Sequence, residues 1–447
     1  MFAFYKFPTP TKIGSMILFF VLAFGLAGCD ESKFDAQSQI GSAPVLPELR
    51  QYLFPPIHIA RVVGWKDGET PKVPAGLKIT AYAKDLQHPR SIYVLPNRDV
   101  LVVESVKPKG EPIKRPKDLI MGWIEKMATS GGGDQESNRI TLLRDADGDG
   151  VPETRSVFLD HLNSPFGVAL VGNDLYVAAT DAIVRFPYTP GQIRITEPGV
   201  RLTALPGGPI DHHWTKSLVA SPDGALLYVG VGSNSNITEN GMEAEKGRAT
   251  IWEIDRATGR GRLFAGGLRN PNGLSWEPQT KALWAVVNER DELGPNLVPD
   301  YLTSIKDGGF YGWPYSYFGS HVDPRVMPQR PDLVEKATVP DYALGSHVAP
   351  LGMAFYTASN LPEKYREGAF VSEHGSWNRS QLAGYKVVFV PFKDGHPNGT
   401  AEDVVTDFID SDGHARGRPV GVAVDGAGAL LVADDTGNTV WRITGDH

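Results

Sequence analysis

Pro209-Ile210-Asp211-His212-His213-Trp214-Thr215-Lys216-Ser217-Leu218-Val219-Ala220-Ser221-Pro222-Asp223-Gly224-Ala225-Leu226-Leu227-Tyr228-Val229-Gly230 joins a polar loop to a hairpin. The second half reads as two short apolar strands around a Pro-Asp-Gly turn. The first half delivers two adjacent imidazoles, His212 and His213, just before the first strand. Imidazole titrates near neutral pH and so suits general-base work. The plainer alternative is a pair of turn-bonding surface histidines. What separates the two readings is whether the pattern returns elsewhere with polar groups at the same place.

It does return. Pro89-Arg90-Ser91-Ile92-Tyr93-Val94 leads to Val100-Leu101-Val102-Val103, and Pro165-Phe166-Gly167-Val168-Ala169-Leu170 to Leu175-Tyr176-Val177. Pro271-Asn272-Gly273-Leu274, Pro350-Leu351-Gly352-Met353 and Pro419-Val420-Gly421-Val422 open further units of the same kind. With Ser217-Leu218 these make six returns, spaced by roughly 50–80 residues, which is the signature of propeller blades carrying insertions. The expected fold is all-β, a six-bladed β-propeller over 56–447; an irregular β-sandwich is the alternative. The 447 residues would ordinarily suggest two or three domains, but repeats add blades rather than cores. The 49 glycines and 35 prolines suit many turns and argue against a helical bundle. A net charge of -8 with no basic stripe or zinc-finger spacing argues against nucleic acid as a partner.

The N-terminus carries Lys6 and Lys12, then an apolar run ending in Leu26-Ala27-Gly28-Cys29. The run is short for a transmembrane helix and fits a signal-peptide core over 1–28. Its ending resembles the bacterial lipoprotein box, which implies lipidation of Cys29, the only cysteine in the chain. Asp30 after it implies retention at the inner membrane, with the body on the periplasmic side. Residues 29–55, rich in Ser, Gln, Pro and charge, read as a tether.

In a propeller the loops entering the innermost strands converge on one mouth of the central channel. Those residues here are Arg90; Asn163 and Ser164; His212 and His213; Arg269 and Asn270; His347; and Arg416 and Arg418. So many cations and donors crowd together at low cost only around an anion or a metal. Convergent polar groups in a concave mouth make a ligand site. The excursions 107–133 and 300–349 read as long loops, the first as a lid and substrate selector.

Leu268-Arg269-Asn270-Pro271-Asn272-Gly273-Leu274, then Gly308-Gly309-Phe310-Tyr311-Gly312-Trp313-Pro314, then Gly417-Arg418-Pro419-Val420-Gly421 resemble the glucose/sorbosone dehydrogenase family. Its members are quinoprotein propellers that use pyrroloquinoline quinone (PQQ) with calcium. The resemblance implies a catalytic base five residues before Leu218, which is His213, with His212 standing where the family's soluble glucose enzymes have Asp. It implies that Arg269 polarises the quinone carbonyl and Asn270 orients the cofactor. It further implies that Arg416 and Arg418 hold cofactor carboxylates, with His347 and Arg379 as further cofactor contacts. Arg379 stands near a position where the family has Lys. The family's catalytic calcium sits on backbone carbonyls of a fourth-blade loop, here 288–299 with Gly294 and Pro295. A separate run, Asp145-Ala146-Asp147-Gly148-Asp149-Gly150, spaces three carboxylates as calcium loops do. The place of an EF-hand's bidentate Glu holds Ser156, so this run reads as a calcium-stabilised hairpin or an acidic turn.

The resulting expectation is a PQQ- and calcium-dependent dehydrogenase acting on an aldose or sugar aldehyde, passing electrons to a membrane quinone or a cytochrome. A calcium-dependent lactonase propeller and a non-catalytic binding lipoprotein are the alternatives. The cationic entrances disfavour the lactonase.

Overall fold

The computed structural model describes residues 34–51, 57–108 and 137–446. The signal segment 1–28, Cys29 and nearly all of the 107–133 lid lie outside the described residues. Six antiparallel sheets form the body. Blade 1 is Pro89–Val94, Val100–Glu104, Arg139–Arg144 and Thr154–Leu159. Blade 2 is Gly167–Val171, Asp174–Ala178, Ala182–Pro187 and Val200–Ala204. Blade 3 is Leu218–Ala220, Leu226–Val231, Thr250–Asp255 and Gly261–Gly266. Blade 4 is Pro271–Trp276, Leu283–Val287, Pro299–Ile305 and Tyr342–Ser346. Blade 5 is Pro350–Tyr356, Gly368–Glu373, Lys386–Lys393 and Glu402–Val405. Blade 6 takes Pro419–Val424, Leu430–Asp434 and Thr439–Gly445 from the C-terminal end and Leu77–Ala83 from the other end of the body. The two ends of the propeller therefore meet in one sheet, Leu77 opposite Gly445 and Ala81 opposite Trp441.

Each blade's first strand touches the first strands of both neighbours, so the inner strands close a ring. The glycine that recurs two residues after the opening proline in blades 2, 4, 5 and 6 is what permits this closure. A Cβ on Gly167 would strike the Leu218 nitrogen, on Gly352 the Val420 carbonyl, and on Gly421 the Ser91 Cα. Between neighbouring blades, apolar faces pack into separate clusters. Leu101, Val103 and Phe158 of blade 1 meet Leu175 and Val177 of blade 2, and Tyr228 and Ile251 of blade 3 meet Leu283 and Tyr301 of blade 4. The core is thus distributed between blades.

The tether expectation for 29–55 changes where the chain is described. Ala36–Gln39 forms a turn of 3-10 helix and Ile40–Gly41 adds a fifth strand to blade 4, opposite Leu344 and Ala343. Leu46 and Leu49 pack onto the core of blades 3 and 4. The apolar residues spaced among the polar ones of this segment carry it onto the propeller. The 300–349 stretch, expected as a long loop, begins and ends in the two outer strands of blade 4, Pro299–Ile305 and Tyr342–Ser346, and between them carries a two-stranded ribbon, Ser316–Tyr317 with His321–Val322, and a single helical turn, Pro331–Val334. Among the described residues, no helix is long and apolar enough to cross a membrane.

Candidate active site at the channel mouth

The register of the inner hairpins decides which residues share the mouth. Pro89 pairs with Glu104, Pro271 with Val287, Pro350 with Glu373 and Pro419 with Asp434. The entrance to each first strand and the exit from each second strand therefore lie at the same end. The floor is apolar: Phe166, Leu351 and Val420 cluster there, and Trp214 meets Phe166 edge-on at 6.4 Å. Along the axis runs a cavity of about 310 Å³ lined by inner-strand residues such as Tyr93, Gly167, Leu218 and Met353. It is a void of the ring and lacks the histidines; the chemistry sits in the polar mouth.

His213 projects from the loop that clamps itself to blade 3. Lys216, fully buried, donates from Nζ to the Trp214 carbonyl at 2.9 Å and lies 3.6 Å from Asp211, which also pairs with Arg248 at 2.9 Å. Burial, which Asp211 opposes and Arg248 reinforces, lowers the Lys216 pKa to about 8. The imidazole is fixed by Ser233: His213 Nδ1 lies 2.8 Å from the Ser233 carbonyl and 3.1 Å from its Oγ. The Ser233 hydroxyl proton is given to the Ser235 carbonyl at 2.6 Å. Both contacts therefore require a proton on Nδ1, which assigns the tautomer and leaves the lone pair on Nε2. Burial first, then the charge of Arg269 and the neighbouring His212, hold the His213 pKa well below the usual imidazole range. The His212 ring stands perpendicular to it, centroids 4.8 Å apart.

Arg269 and Asn270 enter blade 4 beside it. Arg269 Nη1 donates to the Glu289 carbonyl at 2.6 Å and Nη2 faces Asp291 at 3.4 Å, while its buried Nε has no partner. Asn270 Oδ1 is likewise buried without a partner. Gly232 lies between the two side chains, since a Cβ there would overlap both Asn270 Oδ1 and the His213 Cβ.

The loop 288–299 supplies residues that the entrance argument missed. Asp291 accepts from Asn378 Nδ2 at 2.6 Å and lies 3.2 Å from His347 Nδ1. Burial would raise its pKa, but the His347 hydrogen bond and the charges of Arg269 and Arg290 win and lower it to about 2. The buried Glu289 carboxyl faces the Tyr301 hydroxyl, and burial raises its pKa to about 7. His347 Nε2 contacts the Gly294 carbonyl at 3.1 Å, and Arg379 donates to the Ser346 carbonyl and to Asn296 Oδ1 at 3.2 and 2.9 Å.

Across the mouth, Asp435 accepts from Arg90 and, at 3.0 Å, from His374 Nε2. Burial, opposed by Asp435 and reinforced by Arg418, lowers the His374 pKa to about 4, so its ring is neutral at neutral pH. The Arg90 guanidinium lies 5.6 Å from the centroid of Trp214, the residue after His213, and joins the two halves of the site.

The structure thus gathers His213, Arg269, Asn270, His347 and Arg379 around the 288–299 loop. The other two arginines are placed differently. Arg418 donates to the His374 and Gly375 carbonyls, both at 3.1 Å, and stacks on Tyr385, bracing blade 5 to blade 6. Arg416 lies over Trp65 and faces Asp407 and Glu69. Gly294 has φ 123° and its carbonyl already accepts from His347 and, at 3.3 Å, from Leu297. Asp145, Asp147 and Asp149, joined by Glu153, have ligand atoms within 4.8 Å of one another in the outer hairpin of blade 1, apart from the mouth. Their oxygens accept from turn amides such as Gly148 and Gly150 at 2.7 and 2.8 Å. The residues missed by sequence reasoning (Ser233, His374 and Asp435) follow second strands, as do Glu289, Asp291 and Asn378, which lie in the stretches the resemblance pointed to. Extending the search to those exits would have found them.

A family model described as TrAA12-like matches residues 134–300 and 332–446. An uncharacterised protein of Borreliella burgdorferi is 28% identical over 294 residues, 63% of this chain and 76% of that protein. The pyrroloquinoline quinone-dependent pyranose dehydrogenase of Coprinopsis cinerea is 24% identical over 275 residues, 52% of this chain but only 36% of its own length. The solved holo form of the PQQ domain of a Coprinopsis cinerea pyranose dehydrogenase superposes with a TM-score of 0.67 at 21% identity, covering 87% of this chain and 100% of that one. A calcium structure of a Trichoderma reesei family AA12 enzyme gives 0.67 at 19% identity, covering 84% and 97%. At such identities the superpositions establish the shared six-bladed architecture, and the family match, which spans more than half of the sequence, establishes that the chain belongs to the TrAA12-like family.

Proposed function

We propose that the chain is a quinoprotein sugar dehydrogenase that binds PQQ and calcium at the channel mouth and oxidises an aldose or sugar aldehyde. One observation carries the reading: His213, with its Nε2 lone pair free of the Ser233 contacts, and Asn270, with its Oδ1 unpartnered, flank Gly232, and Arg269, whose charge acts on His213, keeps a buried Nε without a partner. Buried donors and acceptors without partners are costly unless a ligand satisfies them, and this set fits a polar, planar quinone. When bound, PQQ supplies a two-electron acceptor for hydride. His213 Nε2 takes the proton from the sugar hydroxyl or aldehyde hydrate as the C–H bond breaks. Arg269 offers its Nε–H to the oxygen on which charge develops. Asn270, His347 and Arg379 hold the cofactor's edge.

Calcium takes hard oxygen donors, and the mouth has them in Asn270 Oδ1, which has no partner, in ionised Asp291 and in Glu289, whose carboxylate also faces the Tyr301 hydroxyl. The Gly294 and Pro295 carbonyls, implied by resemblance, are weaker candidates because the Gly294 oxygen is already engaged. The acidic hairpin 145–149 is a separate, structural calcium position in this reading. Lipidation of Cys29 holds the propeller on the periplasmic side of the inner membrane, within reach of a membrane quinone or a cytochrome as electron acceptor.

Titrating the protein, started after Cys29, with PQQ and calcium tests the proposal by absorbance and thermal shift. Saturable binding lost in Arg269→Ala, and sugar-dependent bleaching lost in His213→Ala, are the expected results. A protein that takes up no PQQ overturns the reading.

A further inference from the structure

We propose that residues 36–50 form a latch on the candidate cofactor site, with Gln39 as the residue that positions the 288–298 loop against the Ser346–His347 corner. Gln39 is fully buried although polar. Its Nε2 donates to the Asn296 carbonyl and its Oε1 accepts from Ser346 Oγ at 3.1 Å. One amide thus spans the loop that carries Glu289 and Asp291 and the corner that carries His347. Arg379 makes the same span from the far side, from the Ser346 carbonyl to Asn296 Oδ1. The two bridges fix the separation of Asp291 and His347.

The rest of the segment holds Gln39 in place and reaches the loop again. Ile40–Gly41 pairs with Leu344 and Ala343. Arg50 donates its amide to the Leu293 carbonyl at 3.0 Å, and the Arg50 carbonyl lies 3.4 Å from where a Gly294 Cβ would stand. Leu46 and Leu49 pack on the cluster that contains Leu293, Leu297 and Val298. Covering an exposed sheet edge is a sufficient role for a short added strand. It does not account for a buried amide aimed at two loops, where a polar group costs free energy unless both its ends are satisfied.

The two roles separate by variant. Gln39→Met keeps the volume and removes both hydrogen bonds. Ser346→Ala removes one of them from the other side. Leu49→Ala loosens the same segment by apolar packing alone. In the cofactor-free chain, amide hydrogen exchange at 289–298 and 347–349 should rise about tenfold in Gln39→Met, the scale of a lost buried hydrogen bond. The rise should be smaller in Ser346→Ala, and in Leu49→Ala, whose side chain packs on Leu293, Leu297 and Val298 but not on the Ser346–His347 corner, it should be confined to 36–50 and 293–298 and leave 347–349 unchanged. On the proposed quinoprotein function, PQQ affinity falls about tenfold in Gln39→Met and falls less in Leu49→Ala. Unchanged exchange in Gln39→Met, or an equal rise at 347–349 in Leu49→Ala, overturns the latch; should Gln39→Met not fold, Ser346→Ala decides. A wild-type chain that takes no PQQ overturns the quinoprotein reading alone and leaves the exchange comparison to judge the latch.

Discussion

At the scale of the residue, the mouth works by withholding hydrogen-bond partners and shifting proton affinities. His213 has one nitrogen committed to Ser233 and one left basic. Because its pKa is held below the usual range, the neutral base persists into mild acid. The acid limb of kcat/KM should therefore fall below about pH 6.5. His213→Gln should lower kcat by roughly 10²–10⁴ while PQQ binding survives, as checked by turnover beside cofactor titration. Glu373 makes a stability prediction. Burial, against the pull of Lys386, raises its carboxyl to about 8, and Oε2 has no partner. A raised carboxyl pKa means that the folded state binds the proton more tightly than the unfolded chain. The folded state is then favoured below the ordinary carboxylate range and loses stability as pH climbs through about 8. Glu289, raised to about 7, and Asp300 and Asp434, raised to about 6, act in the same sense. Asp291 and Asp435, both lowered, lose their stabilising effect only in stronger acid and leave this window intact. The contribution of these raised carboxyls should therefore drop between about pH 5 and pH 8, while His213 and His374, both lowered, act in the opposite sense up to about pH 6.5. Glu373→Gln should recover on the order of 1–2 kcal/mol at the upper end and little at the lower, read by denaturant titration at both.

At the scale of the element, the unit is the inner hairpin, which presents an entrance and an exit at one mouth. Opening proline, glycine and short apolar strands mark it in the sequence, and Pro89–Val94 and Pro419–Val424 fall where that pattern places them. Blade 3 departs from the pattern. Its opening strand is only Leu218–Ala220, and the preceding loop is held by the Lys216–Asp211–Arg248 cluster. At the exit of its second strand, Gly232 keeps space between His213 and Asn270. Gly232→Ala should therefore weaken PQQ binding and turnover together, at a cost of about 1–3 kcal/mol in stability. Calorimetry with PQQ checks the first and thermal unfolding the second. A variant that kept wild-type affinity would show that these two side chains need not sit so close.

At the scale of the whole molecule, closure of the ring depends on one sheet made from both ends of the body. Leu77–Ala83 pairs along Thr439–Gly445, and Trp441 and Ile443 lie in the core shared by blades 5 and 6. A chain ending at residue 438 removes that strand, exposes the edges of Leu77–Ala83 and Leu430–Asp434, and opens the ring. It should aggregate or elute as an expanded species, and circular dichroism with size-exclusion chromatography would show it. A truncated chain that stayed compact would mean that five blades and part of a sixth suffice.

What the sequence determined by itself was local and periodic. Short apolar strands returned six times with the same turn chemistry, which required blades, and His213, Arg269 and Asn270 stood at equivalent entrances. Tertiary structure alone decided which charges remain available for chemistry. Arg416 and Arg418 look like Arg269 in sequence, yet Asp407, Glu69 and backbone carbonyls of the fifth blade engage them. Glu289 and Asp291 belong to the loop that the resemblance marks for calcium through its backbone carbonyls, and only the folded ring shows their carboxyls buried at the mouth with shifted proton affinities. Residues 36–50 read as tether and are folded against blade 4. The reason is physical: strand and turn formation depend on neighbours along the chain, which any window of sequence displays. The state of a charge depends on partners brought from distant blades, which appear only when the ring closes.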